Sequence, residues 1–195
     1  MVLGAQDLQK RGKVLLFSSA DLHEWTSQGE IAGYGINGLD DAGYMWECPD
    51  LFALGDQHVL ICCPQGVPRE KERYLNTYPA VWMSGDFDYH RAAFEHGELH
   101  ELDAGMLQPT LTNGWIHQMT CLRELEFIDG QLYQRPLREL SALRGEAHGW
   151  AGNSLPLAPM EIVLQTTGDD ILSLDFDGAL ILERDASGIR LARPS

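Results

Sequence analysis

The chain has 195 residues, 44% of them hydrophobic, and 29 acidic against 14 Lys and Arg side chains, for a formal net charge of −15. That length and apolar content suffice for one ordinary core or two small ones. The charge argues against nucleic acid and anionic membranes as partners, because a polyanion is repelled rather than steered in, while neutral small molecules such as sugars stay open.

Met1 opens directly into an apolar run, with no basic segment ahead of a long hydrophobic stretch, and no segment elsewhere approaches a membrane span. Lys13 to Ser18, Gln57 to Cys63, Ala80 to Met83, Leu122 to Ile128, Met160 to Gln165, Ile171 to Phe176 and Ala179 to Glu183 alternate with period two or form short apolar runs, and each predicts a strand. Turn chemistry separates them at Leu54-Gly55-Asp56, Ser84-Gly85-Asp86, Ile128-Asp129-Gly130, Thr167 to Asp170, Asp177-Gly178 and Ala186-Ser187-Gly188. Only Leu137 to Arg144, with leucines at 137, 140 and 143, has helical spacing, which predicts a linker helix and a boundary between domains at 1–141 and 142–195. The fold class is all-β; periodicity alone leaves propeller, barrel and sandwich open. The last strand-like run stops just before Ser195, so the chain is expected to be cut at both ends.

The four cysteines, Cys48, Cys62, Cys63 and Cys121, form no C-x-x-C pair and no spacing of a zinc site or a secreted disulfide framework. A reducing compartment, the cytoplasm, is the expectation, with no metal and no organic cofactor.

The most specific local feature is Trp46-Glu47-Cys48-Pro49-Asp50-Leu51-Phe52. One carboxylate stands between an indole, a thiol and a proline, surroundings that favour its neutral form and suit a general acid. Glu47 is therefore the candidate proton donor, and Cys48 a candidate substrate-binding neighbour that tunes it. The plainer alternative makes Glu47 a rim carboxylate, Trp46 a packing residue and Cys48 a small buried hydrophobe. Other clusters read as structure. His96-Gly97-Glu98-Leu99-His100 lacks the order of a metalloprotease H-E-x-x-H and is expected to be a solvated turn. Asp175-Phe176-Asp177-Gly178 lacks the distal ligands of a calcium loop and predicts a hairpin turn. Asp40-Asp41 predicts an exposed loop, and Asp86 and Asp88 either face a cleft or serve a turn.

Glu47-Cys48-Pro49 resembles the Glu-Cys-Pro motif that supplies the acid/base glutamate in glycoside hydrolase family 32, the invertases and sucrose-6-phosphate hydrolases. Further resemblance runs along the chain. Ser18 to Trp25 is similar to the family's S-x-D-L-x-x-W segment, with Trp25 expected to pack between blades. Gly114 to Leu125 is similar to the stretch before the last blade closes, and Asp129 to Pro136 with Arg138-Glu139-Leu140 to the junction with a C-terminal sandwich. The resemblance implies a partial five-bladed β-propeller followed by the opening strands of a β-sandwich. It also implies a retaining β-fructofuranosidase whose partner is sucrose, sucrose 6-phosphate or a related fructoside.

Departures from the family pattern matter equally. The W-M-N-D-P-N-G-like motif that carries the nucleophilic aspartate and the later R-D-P motif are not in this sequence. An F-Y-A-P-Q-like segment is missing where His100 to Gly105 meets Met106, which predicts a join across an internal loss. Retention needs two carboxylates about 5–5.5 Å apart, so a chain with one of them is expected to be inactive alone. The alternative reading is a non-catalytic carbohydrate-binding remnant.

Overall fold

A computed structural model describes residues 1–71, 73–103, 120–147, 149, 160–165, 167 and 170–192. Its contacts divide the chain into two units, Met1–Leu140 and Ser141–Ser195. In the first, β1 (Val2–Gln6), β2 (Gly12–Ser18) and β3 (Thr26–Gly33) form an antiparallel meander with β2 in the middle. Next come β4 (Met45–Leu54), β5 (Gln57–Gln65), β6 (Ala80–Asp88) and β7 (Ala93–His96), side by side in chain order. A four-stranded antiparallel meander of this kind is the unit of a β-propeller blade. β8 (His100–Asp103) also pairs with β6, and β9 (Arg123–Ile128) with β10 (Gln131–Pro136) makes a hairpin. The second unit holds the three-stranded meander β11 (Leu172–Asp175), β12 (Ile181–Asp185) and β13 (Gly188–Ala192).

The core of the first unit collects inward residues from β2 to β7: Val14, Ile31, Trp46, Leu60, Val81, Met83 and Phe94, all buried. Burial alternates from Leu60 to Gln65 of β5, whereas Val59 beside Leu60, and Val81, Trp82 and Met83 of β6, are buried in succession, so both faces are covered there. The two meanders meet through backbone. A Cβ added at Gly4 would collide with the Trp46 carbonyl oxygen, and one at Gly12 with the Trp46 indole. Only hydrogen fits at either place.

The structure is all-β, as the periodicity predicts, and it corrects several particulars. Ser84-Gly85-Asp86 is not a turn but the interior of β6, where Gly85 admits the backbone of Glu95 and His96 on β7. Met160 to Gln165 forms no strand. The expected helix is a 3₁₀ helix, Arg138–Leu143, closed by Leu140 N–H donating to the Leu137 carbonyl at 3.0 Å. Leucines three apart, without a four-residue step, fit the three-residue turn of a 3₁₀ helix better than the α-helical stripe. The expected join at Met106 lies outside the described residues.

Of His96-Gly97-Glu98-Leu99-His100 only the middle is a solvated turn, with Gly97 and Glu98 exposed; the two histidines belong to strands. His96 ends β7 at 8% exposure and His100 begins β8, stacked on Trp82 at 4.6 Å. The short turn between them lets β7 and β8 pair successive stretches of the same strand, β6.

Two tests follow from this packing. Trp46→Ala removes a fully buried indole and should cost about 3–5 kcal/mol, and Gly12→Ala, which pushes that indole from its seat, roughly 1–3 kcal/mol. Urea unfolding followed by circular dichroism measures both, and a neutral Gly12→Ala would contradict the close approach.

The second concerns His96, whose Nδ1 lies 2.9 Å from the Gly97 carbonyl oxygen and whose Nε2 is buried without a partner. Burial pushes its imidazole below the usual range. The unfolded chain therefore takes up a proton that the folded chain resists once pH drops below the ordinary value of about 6.5. Stability is full above that value and lost as pH falls toward the lower folded one. Between about pH 7 and pH 5 the unfolding midpoint should drop, and His96→Leu, which takes no proton, should show a shallower slope. An unchanged slope would count against the assignment.

Candidate functional site

Glu47 lies near the start of β4, the first strand of the four-stranded meander and an edge strand within it. Three local features fix its place. Trp46, before it, is fully buried, and its indole N–H donates to the Ala42 carbonyl at 2.7 Å. Opposite Glu47 stands Cys63 of β5, whereas the next aligned pair is Asp50 with Ile61. Cys48 and Pro49 therefore share a single opposing residue, Cys62, in a β-bulge. Pro49 is tolerated because the strand is an edge and the bulge asks no ladder hydrogen bond of it.

Cys48 takes up the extra residue with φ of 49°, in the left-handed region. A bulge bends its strand and re-aims the side chains beside it, and such devices cluster next to active sites. Glu47 is half-buried and Cys48 exposed. The reading of Cys48 as a small buried hydrophobe is thereby overturned: the buried thiol is Cys62, which points to the core from the opposing strand. The arrangement presents one carboxylate from a rigid, anchored backbone, with an exposed thiol as its neighbour.

The remaining candidates fall into structural places. Asp40 and Asp41 are exposed, as expected. Asp88 accepts from the backbone N–H groups of His90 and Arg91, at 2.8 and 3.0 Å, which hold its carboxyl below the usual range and fold the turn after β6. Asp175 accepts from Gly178 N–H at 2.7 Å, closing the hairpin between β11 and β12. Among the described residues no group of three His, Cys, Asp or Glu side chains is placed to hold a metal ion.

A separate groove, of about 450 Å³, opens between the end of β2, the β2–β3 turn and the turn after β6. Trp25 lines it at 38% exposure, correcting the expectation that this indole packs between blades. Phe87 and Tyr89 line it as well, and Glu47 takes no part. Sequence reasoning weighed Asp86 and Asp88 here and missed the two aromatics; the alternation Asp86-Phe87-Asp88-Tyr89 was the available signal.

Residues 1–108 match the family described as Glycosyl hydrolases family 32 N-terminal domain. The chain is 73% identical to a sucrose-6-phosphate hydrolase of Salmonella typhimurium, over all of this chain and 48% of that protein. It is 40% identical to one of Bacillus subtilis, over 74% of this chain and 36% of the relative. The chain thus spans about half the length, or less, of the curated relatives it matches. The Salmonella alignment is 224 residues long, longer than this chain, so that relative carries residues inside the aligned stretch that are lacking here.

Among solved structures, a β-fructofuranosidase of Bombyx mori, in complex with sucrose, superposes with a TM-score of 0.68 at 22% identity, covering all of this chain and 51% of that one. A sucrose-6-phosphate hydrolase of Lactobacillus gasseri superposes at 0.65 with 30% identity, covering 74% of this chain and 35% of that one.

The four thiols give a direct check of the bulge geometry. Cys48 and Cys121 are exposed, whereas burial pushes the Cys62 thiol far up, away from the reactive thiolate. A chromogenic disulfide reagent on the native chain should titrate Cys48 and Cys121 rapidly and Cys62 only after denaturant is added, with peptide mapping to assign the sites. Modification of Cys62 at the rate of Cys48 would refute the placement.

Proposed function

The chain belongs to glycosyl hydrolase family 32, and from that membership we propose that it carries the acid/base half of a retaining β-fructofuranosidase, with Glu47 as the proton donor. The supporting observation is the bulge at Glu47–Asp50, which holds a half-buried carboxylate on an edge strand beside a fully anchored tryptophan. The substrate class is sucrose or sucrose 6-phosphate, in keeping with the names of the relatives. Cys48 is the neighbour that shapes the acid's surroundings. The spacing of the four cysteines, without the pattern of a secreted disulfide framework, motivates the cytoplasm as the location proposed.

In this reading the glutamic acid protonates the glycosidic oxygen as the bond to the fructosyl anomeric carbon breaks. A carboxylate on the opposite side of the sugar takes that carbon, and Glu47, now ionised, removes a proton from the water that releases fructose. The sequence of this chain holds no motif for the second carboxylate. The isolated 195-residue chain is therefore expected to leave sucrose and sucrose 6-phosphate intact.

Supplying the unmatched remainder of the Salmonella relative as a second polypeptide tests the proposal. Hydrolysis should appear on mixing and fall by at least about 10²-fold with Glu47→Gln. Turnover by the purified chain alone would sink the half-site reading, and restored activity indifferent to Glu47→Gln would sink the role of Glu47.

A further inference from the structure

The groove at the end of β2 has a composition that the Glu47 site does not use. Trp25 from the β2–β3 turn, and Phe87 and Tyr89 from the end of β6 and the turn after it, present aromatic rings; Phe17 also lines it, and Ser18 and Gln28 supply polar atoms. The volume of about 450 Å³ is within the range of small-molecule sites, about 300–1,000 Å³.

Tyr89 is the unusual member. It is 74% exposed, yet its hydroxyl lies 2.8 Å from His58 Nε2 and its ring stands edge-on to Phe87, with centroids 4.9 Å apart. His58 in turn tilts against Phe87 at 5.5 Å. An exposed ring held from two directions has already lost the rotamer freedom that binding would otherwise remove. Gln28 Nε2 donates to Ser18 Oγ at 2.8 Å, which fixes that amide and leaves its carbonyl oxygen and the serine hydroxyl hydrogen for a ligand.

Aromatic walls with hydroxyl and amide groups between them suit a ligand that has apolar C–H faces and a polar rim. A sugar ring is such a ligand: its faces stack on aromatic rings while its hydroxyls find donors and acceptors. The net charge of −15 selects against anionic ligands, phosphorylated sugars included. We propose that this groove is a second carbohydrate-binding site, separate from Glu47, that takes a small neutral saccharide between Trp25 and Tyr89. The inference does not depend on the acid/base role of Glu47.

The test is saturation-transfer NMR and isothermal titration on the full chain with sucrose, fructose, glucose and sucrose 6-phosphate. Saturable binding of at least one neutral sugar is expected at millimolar concentration, with weaker binding of the phosphorylated one. Trp25→Ala and Tyr89→Ala should each weaken it at least ten-fold, Tyr89→Phe should weaken it less, and Glu47→Gln should leave it unchanged. Near-UV circular dichroism checks each fold. Should Trp25→Ala misfold, the exposed position of Tyr89 makes Tyr89→Ala the deciding variant. No saturable binding, binding lost with Glu47→Gln but kept in Tyr89→Ala, or preference for the phosphorylated sugar would each overturn the proposal.

Discussion

The two larger meanders of the first unit are set against each other by the seating of Trp46 against two glycines. The indole is fully buried over Gly12 of β2, its N–H is tied to the Ala42 carbonyl, and the carbonyl of the same residue faces Gly4 of β1. Side chain and backbone of one residue thus touch two strands of the neighbouring meander. Further ties support the same seam: Gly12 N–H donates to the Gly43 carbonyl at 3.3 Å, and Gln6 Nε2 to the Tyr44 carbonyl at 2.7 Å. A buried aromatic of this size contributes several kcal/mol through the area it removes from water. Here it also fixes how closely the two sheets approach.

That constraint is what gives Glu47 a defined position. The residue follows immediately after an anchor, and the bulge that comes next is made by the two residues least suited to regular pairing there, a cysteine in the left-handed region and a proline without an N–H. A left-handed non-glycine residue costs roughly 1–2 kcal/mol. The anchored tryptophan on one side and the β4–β5 ladder on the other keep the strained segment from relaxing to a flat strand. Strain held between two well-packed stretches suits a site whose carboxylate must be presented at a fixed angle.

How far the sequence reveals this depends on whether the information is local. Short apolar strands, such as β5, and turns that need positive φ, such as Asp129-Gly130 with φ of 50° and 76°, are legible because the neighbours in sequence are the cause. β3 is not, because Thr26 to Glu30 is exposed and polar and only Ile31 and Ala32 enter the core. Gly85 misleads for a related reason: the glycine serves an approach by β7, a partner eight or more residues away, and not a local change of direction. Glu47 stands out in the sequence through its motif and its unusual neighbours. The exposure of Cys48, by contrast, comes from the bulge, which depends on register against Cys62. Tyr89 and His58 lie 31 residues apart, and no local pattern announces their hydrogen bond.

The same distinction explains why the core and the chemistry have different needs. The buried cluster is drawn from Val14 to Phe94, a continuous stretch in which each strand packs on its sequence neighbours or across the Trp46 seam. Its packing is drawn mostly from that stretch, and Phe127 of β9 adds an edge-on contact to Trp82 with centroids 6.2 Å apart. The chemistry is different, since a retaining mechanism draws its two carboxylates from opposite sides of the sugar. In a propeller, opposite sides of the channel belong to different blades. A chain that matches about half the length of its relatives can therefore keep a well-formed blade whether or not it holds both carboxylates.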